Sequence, residues 1–220
     1  SVLIGVLSML SMVPLSASML KQQTKEAFQS YIAAVETELQ QRAEGKLPFI
    51  QAESSPTNRS LLLDGRMIVS RLNKNNRTPG GIVHDWSGTV FYPGVSIERV
   101  TSILLDYDSH KTIFSEVIDS KILEESGDSM TVFLRFKKKE ILTVVTDTYH
   151  TVSNYRISAN KTQIHSRSTL INEVDNFGKD DEKLLPEGED HGFLWRMNSY
   201  WSLEEIEGGV MVECRSVTLS

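Results

Sequence analysis

Apolar and polar residues alternate with a period of two along HGFLWRMNSYWSL, His191 to Leu203. Phe193, Trp195, Met197, Ser199, Trp201 and Leu203 fall on one side, and Leu194, Arg196, Asn198, Tyr200 and Ser202 on the other. That pattern predicts a half-buried antiparallel strand. Glu207-Gly208-Gly209 then turns the chain into a second strand of similar length, Val210 to Leu219. A sheet face carrying two indoles and a methionine needs a large apolar partner, either a helix or a bound hydrophobic molecule.

Earlier in the chain the period changes. Ala27, Tyr31, Ala34, Val35 and Leu39 recur at three- and four-residue steps, which predicts a helix over Leu20 to Arg42, ended by Gly45 and Pro48. Phe49 to Asn58 reads as a polar linker, Asp64 to Leu72 as a short strand, and Asn73 to Gly81 as a loop. From Gly81 onward strands dominate, beginning with Ile82 to Tyr92, closed by Pro93-Gly94. Ser96 to Leu105 interrupts them as a helix with Ser96 as N-cap and an apolar stripe of Ile97, Val100, Ile103 and Leu104; a second helical piece is expected around Thr112 to Phe114. Strands follow at Val117 to Glu124, Met130 to Phe136, Ile141 to Val152, Tyr155 to Ser158 and Thr162 to Asn172. The acidic stretch Asp175 to Asp190 is expected to be a mobile loop.

Charge and composition narrow the function. A net charge of −6 argues against a nucleic-acid partner, since phosphate contacts need a basic face and the one dense basic run is Lys137-Lys138-Lys139, expected at a hairpin tip. Cys214 is the only cysteine, which removes any intrachain disulfide or cysteine-based zinc site; within a strand it is expected to be a buried, inert thiol. The five histidines form no HxH, HxxxH or HExxH pair, and no GxSxG, GxxxxGK[ST] or GxGxxG motif occurs, so neither a metal nor a cofactor is implied. Val2 to Leu15 is an apolar run followed by Ser16-Ala17-Ser18, the arrangement of a signal peptide, and short for a membrane span of about 20 residues. The expectation is export to the periplasm or exterior, with a cytoplasmic location if that run is not a leader. The chain thus divides into a leader (1–18), an N-terminal helix (19–48), a linker with a short strand (49–80) and a strand-rich domain (81–220).

Candidate ligand-contacting residues are polar groups set within strands, Arg135, Asp147, His150 and Arg167 with the neighbouring Tyr149, and the large apolar side chains Trp86, Trp195, Met197 and Trp201. A hairpin turning at Lys138-Lys139 would place Arg135 on the face of Leu142, Val144 and His150, and Leu134 and Phe136 with Thr143, Val145, Asp147 and Tyr149. Periodicity leaves the cavity-facing side open, because a slip of one residue exchanges the two sets.

The segments GGIVHDWSGTVFYPGVSIERVTSILLDYDSH, FLRFKKKEILTVVTDTYHTV and DHGFLWRMNSYWSLEEIEGGVMVECRSVTLS, in that order, resemble the START and Bet v 1-like (SRPBCC) superfamily of polyketide cyclases and lipid-transfer proteins. The resemblance covers about Gly81 to Ser220 and implies an α+β helix-grip fold: a curved antiparallel sheet with short helices after the first strand, here preceded by an N-terminal helix. It also implies a long C-terminal helix, which the sequence does not reach and which is read as missing. On this footing the expected function is non-catalytic binding or transport of a hydrophobic small molecule or lipid, between sheet and helix, with transient membrane contact and no specified protein partner. Two alternatives stand beside it. One is a cyclase or aromatase using Asp147, Tyr149 and His150 as acid and base; the other is an interaction module without a ligand, contacting partners through the acidic loop.

Overall fold

The computed structural model describes residues 15–75, 77–139, 143–186 and 189–220, with side chains from residue 22 onward. The expected leader falls largely on residues 1–14, outside the described residues; the first helix, α1, runs from Leu15 to Ala43. Among the described residues no helix is long and apolar enough to cross a membrane.

After α1 the chain does not enter an open linker. Phe49 and Ile50 are buried, Gln51–Ser54 forms a 3-10 turn, and Pro56 opens a second helix, α2 (Pro56–Leu63), at the position where a missing N–H costs nothing. The reason lies far off in sequence. The buried carboxylate of Glu213 accepts hydrogen bonds from the backbone N–H groups of Gln51 and Ala52, at 3.1 and 3.2 Å, and from Thr89 Oγ1 at 2.9 Å. A buried carboxylate needs such donors, and the turn supplies two of them.

Short strands β1 (Ile68–Arg71) and β2 (Arg77–Thr78) lead to the long strand β3 (Gly81–Pro93). Next comes α3 (Ile97–Leu105), where Ser96 Oγ accepts from the Arg99 N–H as the N-cap reading predicts. A 3-10 turn at Tyr107–Ser109 and the short α4 (His110–Ile113) precede the strands β4 (Val117–Ser126) and β5 (Ser129–Lys139). β6 (Thr143–Ser158) is one strand where two were expected, and β7 (Lys161–Asp175) follows it. The acidic stretch is tied down by β8 (Lys183–Leu184), which pairs with β7. The last hairpin is β9 (Arg196–Ile206) and β10 (Gly209–Leu219). Its turn requires glycine: a Cβ at Gly209 would stand 2.1 Å from the Tyr92 carbonyl oxygen.

The strands form one antiparallel sheet in the order β1-β3-β10-β9-β7-β6-β5-β4, with β2 on β3 and β8 on β7. With short helices inserted after its first long strand, this is an α+β sheet of the helix-grip type. Both faces of the sheet are covered. On one, α3 and Tyr107 pack over Val132, Leu134, Val152, Ile164, Leu203, Val210 and Val212. On the other, Phe28, Val35 and Leu39 of α1 pack over Val83, Tyr200, Val217 and Leu219.

This second covering revises the face read as polar in the last hairpin. Asn198, Tyr200 and Ser202 are all buried beneath α1. Trp195 joins them: its indole packs with the α1 cluster and donates from Nε1 to Asp190 at 2.9 Å, so it does not share the side of Met197 and Trp201. The strand begins only at Arg196, after Gly192 with φ 76°, and strict alternation cannot be extended back through that bend.

Candidate functional site

The β5–β6 register decides which polar side chains can meet a ligand. Lys139 pairs with Thr143, Arg135 with Asp147, Phe133 with Tyr149 and Val132 with His150. The strands remain paired through Lys139 and Thr143, so the hairpin does not turn at Lys138-Lys139, and an odd shift in register exchanges its two faces. Arg135 shares a face with Asp147 and Tyr149, while His150 shares one with Val132, Leu134 and Thr148.

On the α3 face the elements form a cavity of about 470 Å³ that is open to solvent on one side. Tyr107, His110, Ile113 and Phe114 form one wall; Leu134 and Phe136 of β5, Met197 and Trp201 of β9 form the sheet side. Ser115 and Glu116 supply polar atoms from the chain after α4, and His150, Ser166, Ser199, Cys214 and Ser216 supply them from the sheet. The alternation of each strand places these side chains here: Trp201 stands opposite Cys214, and Ser199 opposite both Ser166 and Ser216. The Tyr107 ring lies on His110, with centroids 4.2 Å apart, and His110 meets Phe114 edge-on at 5.0 Å.

The buried polar groups in this wall are neutral. His150 is 1 % exposed, and burial pushes its pKa down to about 4, so it is a neutral imidazole at neutral pH. Its Nε2 lies 3.0 Å from Thr148 Oγ1 and its Nδ1 3.1 Å from Ser166 Oγ. Burial likewise lowers His110 and raises the Tyr107 phenol and the Cys214 thiol, each to about 12 for the latter two. The one carboxylate in the lining is that of the exposed Glu116.

Of the nine residues singled out from sequence, His150, Met197 and Trp201 line this cavity. Trp86 stands on the same face of the sheet, opposite Ser216, but outside the lining, and is 44 % exposed. The other five lie on the α1 side or outer surface. Arg135 is paired with Asp147 at 2.5 and 2.8 Å and with Glu182 at 3.0 Å; Tyr149 stacks on Phe133 at 5.4 Å. Arg167 is paired with Glu36 of α1 at 2.5 Å, and Trp195 packs under α1 as described. Tyr107, Phe136 and Ser166 were missed. The signal that could have found Ser166 is its step of two from Ile164, once Ile164 is assigned to the core face.

A second hollow, of about 640 Å³, opens at the far end of β5–β7 between Lys137, Lys139, Glu173, Phe177, His191 and Phe193. Its lining mixes both signs of charge. Glu173 is internally satisfied, accepting from the backbone N–H groups of His191 and Phe193 and from His191 Nδ1, each at 2.9 Å. Among the described residues no cluster of three metal-ligating side chains occurs.

Sheet order, the helices after the first long strand and a cavity between those helices and the sheet together make an α+β fold with a ligand-sized hollow on one sheet face. No family model matches the sequence, and no curated protein does. Similar solved structures include a STAR-related lipid transfer protein from Xanthomonas axonopodis, 15% identical over 68% of this chain and 80% of that one, with a TM-score of 0.43. The Zhui aromatase/cyclase from Streptomyces is 14% identical over 63% and 68%, TM-score 0.42. Human STARD10 is 11% identical over 76% and 67%, TM-score 0.46. These likenesses are of fold, and bear on neither ligand nor activity.

Proposed function

We propose that the protein binds and carries a hydrophobic small molecule, in the first instance a lipid, without changing it chemically. The observation that carries this reading is the lining of the α3-face cavity: Phe114, Leu134, Phe136, Met197 and Trp201 line a space of about 470 Å³ into which Tyr107, His150 and Cys214 bring neutral groups, with Glu116 the one carboxylate in the lining. Pockets for small ligands span about 300–1,000 Å³ and are lined in this way. Each methylene moved from water into such a space contributes about 0.8 kcal/mol, so an acyl chain of ordinary length supports micromolar binding after the cost of association.

The cyclase reading loses its proposed acid–base set. Asp147 and Tyr149 lie on the face opposite His150, and both His150 nitrogens are occupied by hydroxyl groups. A general base must reach the proton it removes, and these three side chains do not converge on one ligand. Export and a transient membrane contact remain part of the proposal, as the route by which such a cargo would be met.

Native mass spectrometry of protein purified from an exporting host tests the reading. The expected result is a bound mass released by organic solvent, and an apolar fluorescent dye that enters the emptied cavity. Protein that is folded, carries no such mass and takes up no dye would overturn it.

A further inference from the structure

Gly88 stands in the middle of β3, and nothing in the fold asks for a glycine there. Its backbone is not among those with positive φ. Its pairings run in unbroken register on both sides, to Val69 of β1 and Cys214 of β10, so it marks no bulge. A Cβ built on it would meet no atom of the described residues within 4 Å, so no neighbour excludes a side chain. A glycine inside a strand costs stability through backbone entropy and gives up packing; where neither a turn nor crowding requires it, the bare backbone serves the close approach of something else. Position says what approaches. Directly opposed residues share a face, and Cys214 is opposed in turn by Trp201, so Trp201, Cys214, Gly88 and Val69 form one row across the sheet on its cavity side. Trp201 and Cys214 line the cavity. Beyond them the row is open: Gly88 is a notch between Trp86, 44 % exposed, and Val90, which packs against the α3 cluster, and Val69 at the end of the row is 57 % exposed. A second row, Ser199, Ser216 and Trp86, runs beside the first, and Ser199 and Ser216 also line the cavity. Three strand spacings make this trough about 14 Å long.

We propose that the cargo is an elongated molecule with a single flexible hydrocarbon chain, part of which lies in the cavity while the rest crosses the sheet through the notch at Gly88 and rests on Trp86 and Val69. This rests on the carrier reading and adds the shape of the cargo and the residue that admits its length. The notch is as wide as the one side chain it lacks, which fits a single chain and not a fused ring system. Hydrocarbon laid over the exposed faces of Trp86 and Val69 adds to binding in proportion to the apolar area covered. A side chain at position 88 would stand up between cavity and trough and stop a long chain there, while a short one held within the cavity would not reach it.

The test is competition against an apolar fluorescent dye on the full chain by 1-octanol and 1-octadecanol, in the parent and in Gly88→Leu. In the parent the longer alcohol is expected to bind about a hundredfold tighter. Gly88→Leu should leave octanol within about twofold of its parent affinity and cut the advantage of octadecanol to about tenfold or less. Gly88→Ala, which puts one carbon in the notch, should weaken octadecanol about threefold and is read in its place if Gly88→Leu does not fold. An advantage for octadecanol that survives both substitutions, or a loss that falls equally on the two alcohols, overturns passage over Gly88 and leaves the carrier reading standing. A parent that sediments as a dimer and becomes a monomer in Gly88→Leu overturns it too, by assigning the notch to a second copy of the chain. Displacement of the dye by neither alcohol overturns both readings.

Discussion

Arg215 grips Asp85 with two hydrogen bonds across β10 and β3, Nε at 3.0 Å and Nη2 at 2.7 Å from the two carboxylate oxygens, at a position where Asp85 is wholly buried. Tyr31 of α1 donates to the same carboxylate at 2.6 Å, and Arg215 Nη1 reaches Glu38 of α1 at 3.0 Å. Breaking one half of a buried pair strands the other as an uncompensated charge. Arg215→Met is therefore expected to cost about 3–5 kcal/mol, while the double replacement Asp85→Leu with Arg215→Met recovers most of that loss. Urea denaturation of the two variants and the parent measures both; a single-variant loss below 1 kcal/mol would contradict the buried pairing.

α1 is held to the sheet by apolar contact and by this polar frame together. Phe28→Ala removes a buried ring between α1 and the sheet and is expected to cost about 3–5 kcal/mol. Tyr200→Phe removes only the hydroxyl that donates to Glu36 at 2.9 Å and accepts from Asn198 at 3.2 Å, and should cost about 1 kcal/mol. The ranking is the prediction. If Tyr200→Phe were the more damaging, the polar frame rather than packing would dominate the docking of α1.

That docking also explains what the sequence did and did not reveal. The order of elements, the Ser96 cap and the alternation of the last two strands were legible, because each is written in residues close together. The side of Asn198, Tyr200 and Ser202 read as the polar face of a half-buried strand, which normally meets solvent. Here its partner is a helix that presents Tyr31, Glu36 and Glu38, so the polar face is buried by pairing rather than by grease. Register was the other gap. The β5–β6 strands stay paired through Lys139 and Thr143, and that odd shift in register puts Arg135 and His150 on opposite faces.

Stability should fall in acid, in two windows. Burial pushes His150 from its ordinary 6.5 down to about 4, and burial followed by the Arg167 charge does the same to His165. An unfolded chain protonates these rings near 6.5 while the folded one does not until about 4, so the unfolded state binds more protons in between. Stability is complete above pH 6.5 and declines as pH falls toward 4, by about 3 kcal/mol for His150 alone. A second loss follows below 4.5. Burial alone would raise Glu36 and Glu38, but hydrogen bonds from Arg167 and Tyr200 to the first, and from Arg42 and Arg215 to the second, hold both below that value. Urea midpoints between pH 7.5 and 4.5 should drop steadily, and His150→Gln should flatten part of the slope; an unchanged slope in that variant would show that His150 is not the group titrating.

Cys214 offers a reporter within the cavity itself. It lies opposite Trp201 in the cavity wall, and burial raises its thiol to about 12, so little of the reactive thiolate exists at pH 8. In the native protein a disulfide reagent should therefore react over hours and in urea within seconds. A bound apolar molecule should slow the native reaction further, because it fills the space through which the reagent must approach. The concentration of 1-decanol that halves the labelling rate then gives an affinity independent of any dye. Labelling that is slow but indifferent to decanol would mean that the reagent reaches Cys214 by opening of the sheet and not through the cavity, and would place the binding site elsewhere.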